Sequence, residues 1–508
     1  MKSRGEKAVI NTVAALGFEV VAVICGLITP RLILSSFGSA YNGLTSSMTQ
    51  FLSCAVLLRS GIGGATRAAL YKPLREGNQD KINAIMSATR IFMNKVAMCL
   101  GVLILVFAVL YPFFVKNEFG WLFTFSLFLI MGIETFLQSL FGITNFIFLQ
   151  ADQKTYVPAL AHIVCYILNT LLVYILIKCN FGIHIVKLGS SIAFSLYPVI
   201  LLFYVRSHYS IDFKVEPDNV AIGQRWDAFY HQAAEFVMNN TDVIILTMLC
   251  PLTEVSVYSV YNLVVAAVKK LMSSFTDGLE AAFGSILAEN KSNSLIKSFR
   301  LVEMIIFNVS TLVTCCCGNL IIEFVALYTR NINDADYIRK SFALVVVFAQ
   351  FFNSIRRPYQ IIVQAAGHYR QTKRGAIVEP VINIVLSIVM VWKFGLVGVA
   401  IGTLAATIFR TVQYSYYADK NLIPGSFLRM LIKTLVGIAE YILVTYIYFI
   451  IPKNEATTYW HWIGHSVLML AISAVVIVIG MILFERKELR DLLERAKKFA
   501  ARLGRKKG

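Results

Sequence analysis

Six cationic side chains lie inside otherwise apolar stretches of this chain: Arg31, Arg59, Lys269, Lys270, Arg356 and Arg357. A charge at the middle of a bilayer costs about 2.5–3.5 kcal/mol on insertion scales, so each of them needs either a carboxylate of the same chain or a bound anion. Arginine adds a planar fork of donors that grips two oxygens at once. A second set of residues supplies hard oxygen ligands: Asn239 with Asp242, Glu379 with Asn383 one helical turn further on, and Thr403. Such oxygens suit a coupling ion, sodium or a proton. The plainer role for any single in-span acid, among them Glu19, Glu134, Glu235, Asp277, Glu280, Glu303 and Glu440, is to neutralise a cation.

These positions count as in-span because of the composition around them. Of 508 residues, 57% are hydrophobic and only 15% charged; a soluble domain is nearer about 45–50% apolar with about a quarter charged. A water-soluble enzyme is excluded. Apolar stretches of about 20 residues, the length that crosses a bilayer, recur near 9–34, 42–64, 91–115, 120–149, 156–178, 184–205, 226–250, 255–286, 299–327, 338–366, 375–393, 395–418, 429–451 and 461–484. The expected fold is therefore an all-α polytopic membrane protein with fourteen transmembrane helices. The first stretch follows Lys2, Arg4 and Lys7 as a signal peptide would. Its length, Glu19 and the lack of a small-x-small cleavage site make it a span instead.

The formal net charge of +18 follows from topology and requires no nucleic-acid partner. With both termini placed in the cytoplasm, Lys and Arg outnumber those of the outer joints by roughly four to one, as the positive-inside rule demands. Residues 485–508 read as a basic amphipathic segment on the anionic inner leaflet, with Leu489, Leu492, Leu493 and Ala496 at helical spacing. Nine cysteines, most of them within apolar helices, form neither a disulfide framework nor a metal site. Cys179 and Cys250 are the one pair near the outer face. His461 and His465 have a metal-like spacing, but Trp460 and Trp462 beside them mark an interfacial belt. No phosphate-cradling Gly-rich loop is present, so direct ATP use is not expected.

The chain also resembles itself at a shift of about 214 residues: Gln150-Ala151 recurs as Gln364-Ala365, Asn169 as Asn383, Phe181-Gly182 as Phe394-Gly395, Gly189 as Gly402 and Ala193 as Ala406. Two six-helix lobes, 1–215 and 216–425, followed by a helix pair in 426–484, account for the length. A parallel repeat of this kind places a substrate path between lobes, which is a transporter's plan.

Phe37-Gly38-Ser39-Ala40-Tyr41-Asn42-Gly43-Leu44, Ser60-Gly61-Ile62-Gly63-Gly64-Ala65 with Leu70-Tyr71-Lys72-Pro73-Leu74, Gln364-Ala365-Ala366-Gly367-His368, and Asn383 with Gly398-Val399-Ala400-Ile401-Gly402-Thr403 carry a family likeness. On these residues the chain resembles the Wzx-type polysaccharide and O-antigen flippases of the multidrug/oligosaccharidyl-lipid/polysaccharide (MOP) exporter superfamily. The resemblance implies the two-lobed plan of the MATE exporters and the lipid II flippases. It also implies a bacterial cytoplasmic-membrane protein that moves an undecaprenyl-diphosphate-linked oligosaccharide outward by alternating access, for capsule or O-antigen synthesis. Membrane lipids, a polysaccharide polymerase and glycosyltransferases would be its partners, and sodium, a proton or the membrane potential its energy source.

The six cations would then meet the diphosphate. Arg31 and Arg59 resemble in-span arginines of the lipid II flippases, and a cation at the level of Lys269-Lys270 is likewise implied. For Arg31 the alternative is snorkelling to the outer interface, for the lysines pairing with Asp277, and for Arg356-Arg357 ordinary positive-inside sequence. Relatives with a sodium site draw Asp, Asn and Thr from the helices of Asp242, Glu379, Asn383 and Thr403, whereas here the order in the third of these helices is Glu then Asn. A cation-coupled multidrug exporter of the same superfamily is the alternative function, and would present carboxylates to its cavity. A membrane glycan enzyme would need a large outer loop, which the short joints near 328–337 and 452–460 do not provide.

Overall fold

Backbone N–H and C=O groups find no water in hydrocarbon, so a chain this apolar satisfies them within helices. A computed structural model describes residues 4–56, 62–115, 118–218, 236, 240–276, 279–288, 292–452 and 456–494, and all its regular elements are helical. Their order is α1 (Arg4–Phe37), α2 (Ser39–Val56), α3 (Ile62–Glu76), α4 (Gln79–Phe114), α5 (Trp121–Leu137), a π-helical turn (Gln138–Gly142), α6 (Ile143–Ala151), α7 (Tyr156–Lys178) and α8 (Ile183–His208). There follow α9 (Asn240–Leu249), then α10 (Leu252–Thr276), α11 (Leu279–Ala288), α12 (Ser292–Tyr328), α13 (Lys340–Ile355), α14 (Arg357–Ala365), α15 (Tyr369–Phe394), α16 (Leu396–Asn421), α17 (Ser426–Ile450) and α18 (Tyr459–Phe484). A further helical stretch covers 486–494 of the expected tail.

Eleven helices among the described residues are long and apolar enough to cross a membrane, and the chain is a multi-pass membrane protein. The fourteen expected spans differ from these at three places. Of the span at 42–64, residues 57–61 lie outside the described residues; 42–56 belong to α2, which is rich in Ser and Thr, and 62–64 open α3. Of 226–250, residues 226–235 and 237–239 lie outside the described residues, leaving the short α9. The span at 338–366 is two helices, α13 and α14, with Arg356 at the joint. Pro358 explains that break: it has no N–H to give the carbonyl four residues back, and its ring crowds that carbonyl. Elsewhere helices outrun the apolar stretch; α4 begins at Gln79, capped by the Asn78 side chain, and α12 at Ser292.

The chain falls into two compact units, one of Met1–Ser259 with Asn331–Ala335, the other of Val260–Arg330 with Asp336–Gly508. In the first, α2 binds α9 and the start of α10 through a polar ladder. Asn42 Nδ2 donates to Ser256 Oγ at 2.7 Å, Ser47 and Thr247 share a bond of 2.6 Å, and Gln50 and Ser53 both donate to Asn240 Oδ1. Such bonds are what let Ser, Thr and Asn enter an apolar bundle. Gly43 lies so close to the Leu252 carbonyl that any Cβ would overlap it.

The 214-residue shift relates backbone as well as sequence. After α6, the amides of Asp152, Gln153 and Lys154 bond to the carbonyls of Phe148, Gln150 and Leu149. After α14, the amides of Ala366, Gly367 and His368 bond to those of Ile362, Gln364 and Val363 in the same pattern. Both turns place their second residue in the left-handed region, Gln153 at φ 58° and Gly367 at φ 73°. Behind each turn sits a core, Phe148 and Leu149 with Met86, Cys165 and Leu201 in the first unit, and Ile362 and Val363 with Phe299, Ile355 and Tyr359 in the second. At the first turn Lys154 and Tyr209 close on Asp152, which accepts from the Tyr209 hydroxyl. Burial and that carboxylate raise the phenol above its ordinary pKa.

In the second unit α15 and α16 approach closely along Gly398, Gly402 and Ala406, a small-xxx-small stripe. A Cβ on Gly402 would overlap Ser387 Oγ, and one on Gly398 the Met390 carbonyl. Gly402→Val should therefore force the pair apart at a cost of about 1–3 kcal/mol. We expect it to lower the thermal unfolding midpoint in detergent by several degrees, whereas Gly464→Ala, whose added Cβ meets nothing within 4 Å, does not lower it.

Candidate functional site

Three local features converge in the second unit. The Pro358 break leaves Arg356 at the joint between α13 and α14. The close α15–α16 contact brings Asn383 Nδ2 within 2.9 Å of Thr403 Oγ1. Gly375 has no side chain where the Arg410 guanidinium and Gln413 lie, and any Cβ there would overlap both.

The result is a buried triad. Glu379 is 8% exposed and Arg410 5%. Arg356 Nη1 donates to Glu379 Oε1 at 2.5 Å, and Arg410 Nε stands 3.4 Å from Glu379 Oε2. Arg356 Nη2 also donates to Asn353 Oδ1 at 2.7 Å. Arg410 is held on three further sides, by the Thr372 carbonyl, by Gln413 Oε1 at 2.6 Å and by the Tyr414 hydroxyl at 2.8 Å. Its guanidinium carbon lies 4.1 Å from the centre of the Tyr414 ring, a cation–π geometry. Two guanidinium groups share one carboxylate, so the triad carries an excess of one positive charge.

A second ionic network in the same unit is differently built. Glu303 on α12 is fully buried, accepts from the Tyr359 hydroxyl at 2.5 Å, and lies 3.4 Å from Lys433 and 3.9 Å from Arg429. Lys433 bonds onward to Glu485 at 2.6 Å, which also accepts from Asn308. Two acids meet two bases, so this network fastens α12, α17 and the end of α18 without surplus charge. The triad differs by having charge to spare.

The other expected residues fall as follows. Arg31 lies partly buried on α1, one residue beyond Pro30, and Lys269 and Lys270 lie on α10, with Lys270 exposed. Arg357 opens α14 beside Arg356. Asp242 is in the first unit, where the Tyr258 hydroxyl donates to it at 3.3 Å. Arg59 and Asn239, like Glu235 and Asp277, lie outside the described residues. Of the oxygen-ligand set, Asn383 and Thr403 touch, and Glu379 sits one turn from Asn383 with its carboxylate turned to the arginines. Cys179 and Cys250 are both free thiols, and His465 pairs with Glu323 at 2.9 Å.

Two charged residues whose sequence positions suggest only topology lie within helices of the bundle, Arg410 buried and Lys187 partly buried. Arg410 reads as a cytoplasmic cation, yet α16 runs to Asn421 and carries it inside the bundle. Seven residues, two turns, separate Arg410 from Thr403, and four separate Glu379 from Asn383 on the antiparallel neighbour, so the Asn383–Thr403 contact already implies that the two charges face each other. Lys187 reads as part of an outer joint, yet α8 begins at Ile183 and Lys187 acts electrostatically on Glu134 of α5.

No protein-family model matches the chain, and no curated protein matches it. Solved structures do match in fold. The lipid II flippase MurJ in an inward-closed conformation superposes with a TM-score of 0.70 at 15% identity, over 94% of this chain and 100% of that one. The chain has a MOP-like fold. A multidrug resistance MATE family transporter of the MOP superfamily, inward-facing, gives 0.63 at 14% identity over 79% of this chain and 94% of that one. A MOP superfamily transporter from Pyrococcus furiosus, described by the reverse polarity of its binding pocket, gives 0.55 at 14% identity, over 82% and 95%. At such identities the likeness is one of fold; these neighbours are a flippase and transporters rather than enzymes.

Removing one partner from a buried ionic cluster costs more than the cluster contributes, about 3–5 kcal/mol, because a charge is stranded. We expect Lys433→Met, which leaves two carboxylates, Glu303 and Glu485, against the one base Arg429, to destabilise the protein by that order, read as a lowered unfolding midpoint in detergent. Lys393→Met, on an exposed side chain, should leave the midpoint unchanged.

Proposed function

We propose that the protein is a flippase that carries an undecaprenyl-diphosphate-linked oligosaccharide from the inner to the outer leaflet of a bacterial cytoplasmic membrane, by alternating access, for cell-surface polysaccharide synthesis. The observation that carries this reading is the surplus positive charge of the Arg356–Glu379–Arg410 triad. Uncompensated cations inside a membrane are costly enough to require an anionic ligand, and a diphosphate flanked by a lipid and a sugar is an anion that must cross. Arginine forks match its paired oxygens.

In this reading Arg356 and Arg357 at the α13–α14 joint, Lys269 and Lys270 on α10, and Arg31 and Arg59 of the first half receive the diphosphate at successive stages. The likeness to the lipid II flippase supports a lipid-linked substrate. The halves 1–215 and 216–425 would move against one another, with both termini cytoplasmic and the basic tail on the inner leaflet. Asp242, Asn239, Asn383, Thr403 and Glu379 are the proposed ligands for a coupling sodium ion or proton. A polymerase and glycosyltransferases would act on the same glycan.

The likeness to MATE family transporters favours a second reading, a cation-coupled multidrug exporter. Such a protein would offer its substrates carboxylates free of basic partners, whereas Glu379 and Glu303 both face bases here. In cells that depend on this chain for a surface glycan, Arg356→Ala and Lys270→Ala should each reduce glycan export at least about 10-fold, the loss expected when an ionic ligand is removed, with the protein still in the membrane. Full export by both variants, together with drug resistance conferred by the wild type, would establish the exporter instead.

A further inference from the structure

The triad has an internal asymmetry. Arg410 is fixed by a carbonyl, an amide oxygen, a hydroxyl and an aromatic face in addition to its carboxylate. Arg356 is the more accessible partner, with a side chain 14% exposed against 6% for Arg410, and its buried Nε–H makes no hydrogen bond to any described residue. Glu379 is bound among the described residues by the two arginines alone. An arriving anion can therefore add to Arg356 first, and the group with least to keep it in place is the Glu379 carboxylate.

Charge counting says what must follow. With Glu379 ionised the empty triad carries one positive charge. A diphosphate linked at both ends brings two negative charges, and adding it unaltered would leave the buried site at minus one. If the displaced carboxylate takes one proton from water as it loses both guanidinium partners, the two arginines meet exactly two negative charges and the site is neutral, as a low-dielectric interior requires. No other bond is made or broken.

We propose that Glu379 is an internal stand-in for the substrate's anion: it holds Arg356 and Arg410 in register while the site is empty, yields them to the diphosphate, and takes up one proton as it does so. This rests on the diphosphate reading above and adds to it one proton that binds with the substrate. The charged and titratable groups that face Glu379 are Arg356 from the α13–α14 joint and Arg410 with Tyr414 behind it from α16. Because the carboxylate competes and its protonated form does not, binding strengthens as pH falls.

The test is binding of farnesyl-diphosphoryl-N-acetylglucosamine, a diphosphate diester of constant charge, to the full-length purified protein in detergent between about pH 5.5 and pH 8. In the wild type, affinity should fall with rising pH, by up to about 10-fold per pH unit for one linked proton. Glu379→Gln should bind about 10-fold or more tightly at the upper end of that range and show no pH slope. Glu379→Asp, which keeps the charge but withdraws it by one methylene, should lie between them and serves where the Gln variant does not fold. If Glu379→Gln keeps the wild-type affinity and slope while Arg356→Ala abolishes binding, the stand-in is wrong and the diphosphate reading survives. If neither the wild type nor Glu379→Gln binds the diester, both fall.

Discussion

The physical constraint on which the second unit depends is that charge inside a lipid-facing bundle must be answered by charge. Glu379 answers two arginines at once, and those arginines come from different places in the chain: Arg356 from the joint between α13 and α14, Arg410 from the middle of α16. One carboxylate on α15 therefore fixes three helical segments relative to one another. A few turns away, Glu303 and Glu485 answer Arg429 and Lys433 and fix α12, α17 and the end of α18. The two clusters use the same chemistry to different ends. The balanced one has spent its charge on holding helices together, while the unbalanced one keeps one positive charge in excess.

The remainder of the unit serves that geometry. Glycine at 375, 398 and 402 brings α15 and α16 to a separation that no larger residue permits, which puts Glu379 beside Arg410. Proline at 358 ends α13 early and leaves Arg356 at the joint, in contact with Glu379. Breaks of this kind are places where a transporter's helices bend, and they carry backbone groups that lining side chains must satisfy. A joint, a close helix pair and a shared carboxylate together hold the triad.

Much of this was legible in the sequence, and the illegible parts have definite causes. Apolar length located the long helices, because hydrocarbon thickness imposes it, and the repeat located the equivalent turns after α6 and α14, because both need the same left-handed residue. Where Pro358 intervened, apolar length read two helices as one. Charge signs in the candidate site were visible, but pairing was not. Arg356 and Glu379 entered with separate roles, ligand for an anion and ligand for a cation, and the structure places them in one ion pair. Arg410 lies towards the inner end of the stretch 395–418, where a cation reads as positive-inside sequence, and the antiparallel register set by Asn383 and Thr403 shows that it faces Glu379 inside the bundle.

The fold is shared by a lipid II flippase and a multidrug transporter, and the proposed function separates the two readings by the polarity of the cargo, anionic if the surplus charge of the triad meets it. The most direct measurement is transbilayer movement in proteoliposomes containing only this protein, with a fluorescent short-chain polyprenyl-diphosphoryl saccharide in one leaflet and, in parallel, a lipophilic cationic dye inside the vesicles. A flippase for diphosphate-linked glycans moves the saccharide lipid and not the dye. Movement of the dye driven by a sodium or proton gradient, with the saccharide lipid remaining in its leaflet, would contradict that assignment.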